Sequence, residues 1–183
     1  VNRAAALGIA TQATNRHGAM QRADELAGAL IEVAALDPLR VIVEIGCKMG
    51  GTLFAWRQLG AEVYGITLRE RAGFLIDHGA DVHFGDSHAP ESLAWLVEQL
   101  HGRPVDALHI DGAHSYRGVR WDYETYAPLV RPGGLVLLND IAEAMDVTNE
   151  VPKFWAEIKG PGDREIVTTG PHPVGFGVIT KGA

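Results

Sequence analysis

The stretch Val41-Ile42-Val43-Glu44-Ile45-Gly46-Cys47-Lys48-Met49-Gly50-Gly51-Thr52 decides the fold. Its first five residues are apolar and mostly β-branched apart from one acid, and such a run stopped by a turn reads as a buried strand. Gly46, Gly50 and Gly51 then allow a tight turn whose backbone approaches a ligand closely. The spacing is not the G-x-G-x-x-G of dinucleotide binders, and Lys48 is misplaced for a phosphate-cradling loop. Glu44 stands out, because a carboxylate inside a buried strand requires a partner, either a ligand ammonium group or backbone amides.

Outward from this stretch the pattern repeats. Val105 to Ile110 follows Pro104 and ends at Asp111; Leu135 to Leu138 follows Pro132-Gly133-Gly134 and ends at Asn139-Asp140. Glu62 to Ile66 and Asp81 to Phe84 are shorter candidates for buried strands. Between them, Gln21 to Leu36, Thr52 to Leu59, Pro90 to Leu100 and Tyr116 to Val130 read as helices. Regular alternation of strand and helix predicts a doubly wound α/β fold, a parallel sheet with helices on both faces.

The tail departs from the alternation. Val151 to Ile158 reads as a helix, and Arg164 to Thr168 and Val174 to Thr180 as antiparallel strands joined through Gly170-Pro171-His172-Pro173. The Ala-rich Val1 to Met20 is weakly periodic and reads as helical. No linker divides the chain, so one domain is expected: an N-terminal helical segment, residues 1–36, packed on residues 37–183.

Composition narrows the function. With 46% hydrophobic and 21% charged residues, 183 residues suffice for one sizeable core. No apolar run nears the ~20 residues of a membrane helix, so no membrane partner is expected. A net charge of −7 argues against nucleic acid as a partner. The lone Cys47 and the lack of a secretory pattern in Val1 to Ala10 suit a cytoplasmic protein.

In an open parallel sheet ligands bind beyond the carboxyl ends of the strands. Asp86-Ser87 follows the third strand, and reads either as a turn ahead of the next helix or as an acceptor for an adenine amino group. Asp111-Gly112-Ala113-His114-Ser115-Tyr116 and Asn139-Asp140 follow strands expected to be neighbours. Alone, each aspartate reads as a cap and His114 as a loop residue. Together they bring two carboxylates, an amide oxygen and an imidazole into one small volume. Like charges so close call for a cation, and oxygen donors favour Mg²⁺.

Val41 to Gly51, Gly85-Asp86-Ser87, Ile110 to Tyr116 and Pro128 to Gly134 resemble class I S-adenosylmethionine-dependent methyltransferases. The chain is most similar to the branch of metal-dependent macrolide-sugar O-methyltransferases and cephalosporin-hydroxylase-like proteins; Val151 to Trp155 also resembles it. The resemblance implies a mostly parallel, seven-stranded sheet with its last strand antiparallel. It implies that Glu44, Gly46, Cys47, Gly50 and Gly51 surround the methionine portion of S-adenosylmethionine. Asp86 and Ser87 would lie near the adenine, and Asp111, Asn139 and Asp140 would hold Mg²⁺.

His114 would then be the general base for O-methylation of a small-molecule acceptor, a sugar or natural-product-like hydroxyl. Tyr116, Trp121 and Trp155 are candidates for the walls of the acceptor pocket, with core packing expected for at least one of them. Two positions depart from the family pattern. Thr67 stands where an acid usually holds the ribose hydroxyls, and Asn139 where a metal-binding relative often has glutamate. These departures support an alternative, a cofactor-binding protein of the same fold with little or no methyl transfer, acting as partner to another enzyme. The terminal hairpin offers an edge for self-association into a homo-oligomer.

Overall fold

Strands covered on both faces need apolar side chains in both directions, and the centre of this sheet supplies them. β1 (Val41–Ile45) and β4 (Val105–Ile110) are buried along their whole lengths. Val41, Val43 and Ile45 enter one core with Leu108 and Ile110, whereas Ile42 enters the other with Ala107. The alternation puts Glu44 and His109 on the same face as Ile42 and Ala107.

The structure is a computed structural model and describes residues 1–68, 77–142, 148–169 and 173–182. Helices α1 (Arg3–Arg16) and α2 (Ala23–Ala34) precede β1. Then come α3 (Gly51–Arg57), β2 (Glu62–Thr67), β3 (Asp81–Phe84), α4 (Pro90–Leu100) and β4. α5 (Tyr116–Tyr126), a 3₁₀ turn (Ala127–Leu129), β5 (Val130–Asn139), α6 (Val151–Ile158), β6 (Arg164–Ile166) and β7 (Phe176–Thr180) complete the order. The seven strands run β3-β2-β1-β4-β5-β7-β6, with β7 antiparallel to both its neighbours and the other pairs parallel. Helices α1 to α3 cover one face and α4 to α6 the other. Among the described residues no helix is long and apolar enough to cross a membrane.

The doubly wound sheet with an antiparallel C-terminal strand is as expected; several details differ. β3 is not buried, because as the edge strand it has a neighbour on one side only, and Phe84 is exposed. The helix expected to run to Val130 ends at Tyr126, and β5 begins at Val130. β5 runs through Pro132-Gly133-Gly134, where its register against β4 shifts between Val105 and Ala107. Part of the expected Gly170-Pro171-His172-Pro173 connection, residues 170–172, lies outside the described residues.

α1 starts where the Asn2 side chain accepts from Ala5 N–H at 3.0 Å, and buries Ala6, Ala10 and Ala13, a stripe of small side chains at helical spacing. Residues 1–36 thus pack into the core beside α3 and the sheet. One buried acid joins this segment to the far end of the chain. Glu25, 0% exposed, accepts from Thr168 N–H and Oγ1–H through Oε1, and from Gly175 N–H through Oε2, at 3.0–3.1 Å.

Candidate functional site

The strand order reverses between β1 and β4, and a cavity of about 760 Å³ opens at their carboxyl ends. That volume is in the range of small-molecule sites. Its walls come from the loop after β1, the ends of β2, β4 and β5, Gly85 to His88, the segment Gly18 to Gln21 between α1 and α2, Thr148-Asn149 and Val174.

Gly46 is required by two features at once. Its φ is +93°, and a Cβ there would sit 2.1 Å from the carbonyl oxygen of Asp111. The loop therefore passes flush against the end of β4 and leaves the cavity to a ligand. Cys47, 2% exposed, lines the same wall; burial and the Glu44 charge push its thiol up, so it stays protonated.

Glu44 and Gly50 lie behind the wall rather than on it. The Glu44 carboxylate is fully buried, accepts from the Thr52 hydroxyl, and has Oε1 3.7 Å from His109 Nδ1. Oε1 thus meets a hydroxyl and an imidazole of the protein, while Oε2 has no hydrogen-bond partner among the described residues. Gly50 adopts φ +88° as the residue before α3. Gly51, Thr52 and Thr67 do line the cavity.

Asp86 and Ser87 line it too, and both readings of Asp86 have a footing. Its Oδ1 accepts from His88 N–H at 3.0 Å, which makes a turn before α4, while the residue still borders the cavity. Ser87 is anchored through its carbonyl, which accepts from Tyr126 Oη–H at 2.8 Å.

The charged end of the cavity lies between β4 and β5, which are hydrogen-bonded neighbours. Ligand atoms of Asp111, His114 and Asp140 lie within 4.8 Å of one another. His114 Nε2 is 3.2 Å from Asp140 Oδ2 and 3.7 Å from Asp111 Oδ1. Burial first, and then the Asp111 charge, push the Asp140 carboxyl up to about 6. A pair of carboxylates under that strain, with an imidazole beside them, fits a divalent cation. Asn139 Nδ2 donates to Asp111 Oδ1 at 3.2 Å, so in this arrangement an amide N–H faces the carboxylate, while its Oδ1 is buried without a partner among the described residues.

Sequence reasoning missed the parts that hold these groups. Asn149 Nδ2 donates to the Asp140 carbonyl at 3.0 Å, and Glu150 N–H to the His114 carbonyl at 2.8 Å. The loop before α6 thereby clamps the two strand ends together. Gln21, from the segment between α1 and α2, donates to Asp111 Oδ2 at 2.6 Å. The polar run Thr148-Asn149-Glu150 ahead of Val151-Pro152 was a legible capping signal; Gln21 carried none.

None of the three expected aromatic walls lines the cavity. Trp155 is a core residue, 3% exposed, with Nε1–H donated to Glu165 Oε1 at 2.6 Å. Trp121 packs on His88, and the Tyr116 hydroxyl pairs with Glu157 on the surface.

Residues 43–141 match a family of methyltransferase domains. A curated relative from Sinorhizobium fredii (strain NBRC 101917 / NGR234), the protein y4gI, is 29% identical over 146 residues, 69% of this chain and 16% of the relative. Among solved structures, the fold is similar to MycE methyltransferase of the mycinamycin biosynthetic pathway, in complex with Mg and S-adenosylhomocysteine. That match has TM-score 0.64 and 16% identity, covering 97% of this chain and 54% of MycE. An O-methyltransferase from Bacillus cereus in complex with S-adenosylhomocysteine has TM-score 0.59 and 19% identity, covering 96% and 88%. The chain thus spans about a sixth of the curated relative and about half of MycE.

Proposed function

Because the chain belongs to this family of methyltransferase domains, we propose that it moves a methyl group from S-adenosylmethionine to the hydroxyl of a small molecule, with a divalent metal ion assisting. The observation that carries the reading is the cluster of Asp111, His114 and Asp140 in a cavity that the glycine loop and Gly85 to Ser87 also line. A methyl donor and an acceptor need adjoining sites, and the cavity offers both ends.

S-adenosylmethionine supplies a methyl carbon on a positively charged sulfur that departs as a neutral thioether. A divalent ion held by Asp111 and Asp140 would supply positive charge beside the acceptor oxygen and ease loss of its proton. The chain's own residues do the rest. Gly46, Gly51 and Thr67 shape the cofactor end; in-line positioning of this kind is worth roughly 7–11 kcal/mol. His114 Nε2 takes the hydroxyl proton as the oxygen replaces sulfur on the methyl carbon, a role worth ~10²–10⁴ in rate. The carboxylate of Asp140 favours the imidazolium that results.

A second reading rests on Asn139, whose amide occupies the Asp111 oxygen that faces His114. On that reading the chain binds the cofactor with little transfer and serves another enzyme. Calorimetric titration with S-adenosylhomocysteine, followed by turnover on a panel of sugars and vicinal diols with Mg²⁺ or chelator, separates the two. Binding with Mg²⁺-dependent methylation is expected. Binding without turnover on any hydroxyl favours the second reading, and absence of binding overturns both.

A further inference from the structure

The mechanism above makes no use of the segment between α1 and α2, yet that segment supplies a confined polar contact of the cavity. Gln21 is 6% exposed, and its Nε2 reaches Asp111 Oδ2 at 2.6 Å across 90 positions of sequence. Its Oε1 is buried without a partner among the described residues, so the contact through nitrogen is what orients the amide. The segment has little room to shift. A Cβ on Gly51 would lie 2.1 Å from Ala19 N, and one on Gly18 would lie 3.3 Å from the Met49 side chain.

The Asp111 carboxylate therefore has two distinct sides. Oδ1 faces Asn139 Nδ2 at 3.2 Å and His114 Nε2 at 3.7 Å, toward the side that Asp140 shares; Oδ2 faces Gln21. A carboxylate torsion is broad and roughly two-fold, so without a donor on Oδ2 either oxygen could turn to an ion. We propose that Gln21 is a positioning residue for Asp111: it holds Oδ2 so that Oδ1 alone meets the cation. This makes the N-terminal segment part of the ion site, and it rests on the cation reading of the cluster. Residues that orient a metal ligand in this way typically carry 10–100-fold in metal affinity.

The test uses the full chain, with Mn²⁺ as the probe followed by electron paramagnetic resonance and S-adenosylhomocysteine by calorimetry. Gln21→Met keeps the length and removes the donor. It is expected to bind Mn²⁺ about 10-fold more weakly, with S-adenosylhomocysteine affinity within about twofold. Gln21→His returns an N–H at similar reach and is expected to recover most of the loss. If Gln21→Met does not fold, Gln21→Asn, one methylene too short, makes the same comparison. Unchanged Mn²⁺ binding, no recovery by histidine, or an equal loss of Mn²⁺ and S-adenosylhomocysteine would each overturn the proposal. A wild-type chain that binds S-adenosylhomocysteine but no Mn²⁺ would instead overturn the cation reading beneath it.

Discussion

Glu44 and His109 are register partners on adjacent parallel strands, both 0% exposed, with Oε1 3.7 Å from Nδ1. The pair sits directly beneath the cavity, and the Thr52 hydroxyl ties it to the start of α3. Burial opposes protonation of His109, but the Glu44 carboxylate, aided by Asp111 and Asp140, outweighs it and raises the imidazole's proton affinity.

A folded value above the unfolded ~6.5 means that His109 stabilises the fold fully below that pH and progressively less as pH rises through its folded value. Glu44→Gln should therefore cost roughly 3–5 kcal/mol near pH 6, the scale for breaking a buried ion pair, and less at higher pH. Urea unfolding across pH 6 to 9 checks this. A cost that does not vary with pH would mean His109 is neutral throughout.

Asp140 has the same sign, in a lower pH window. Its folded value, about 6, exceeds that of an unfolded aspartate, so the native state holds its proton more tightly and loses stability as pH rises from about 4 through 6. Asp140→Asn should stabilise the ion-free chain at pH 7 by on the order of 2 kcal/mol and flatten that part of the pH profile. The same change should abolish Mn²⁺ binding. In the wild type, Mg²⁺ affinity should fall between pH 7 and 5, as a proton competes for the carboxylate; thermal midpoints at several Mg²⁺ concentrations measure it.

For His114, the base role predicts a split between chemistry and binding. His114→Ala should lower kcat by ~10²–10⁴ while S-adenosylhomocysteine affinity stays within a few-fold. Loss of Mn²⁺ binding in the same variant would make the imidazole a ligand in place of a base.

Gly46→Ala should be severe. A side chain at φ +93° carries roughly 1–3 kcal/mol of strain, and the contact with Asp111 adds to it. Either unfolding or lost cofactor binding is expected by circular dichroism and calorimetry, whereas Gly60→Ala, at φ +80° with open space around it, should show the strain alone.

What was legible in the sequence follows from range. β1, β4 and β5 could be read because burial on both faces forces apolar runs, and Asp111 and Asp140 because each follows such a run directly. The partners of Glu44 could not, since Thr52 and His109 become its neighbours only through strand register and the turn into α3. Gln21 reads from the sequence as the first residue of a helix, lies instead in the link ahead of α2, and meets Asp111 only after α1 and α2 have packed. Core packing was expected for at least one of the three aromatics; that it is Trp155 was not legible, because an aromatic near a site carries no sign of which way its helix faces.

The bond between Glu25 and Thr168 and Gly175 has a consequence for how the molecule is made. A polypeptide halted on the ribosome before Gly175 would leave Oε2 of this buried carboxyl group without its donor, and β5 would lack β7, the strand that closes its outer edge. Assembly must therefore wait for β7 to emerge, and cutting the chain between Thr168 and Gly175 would loosen α2.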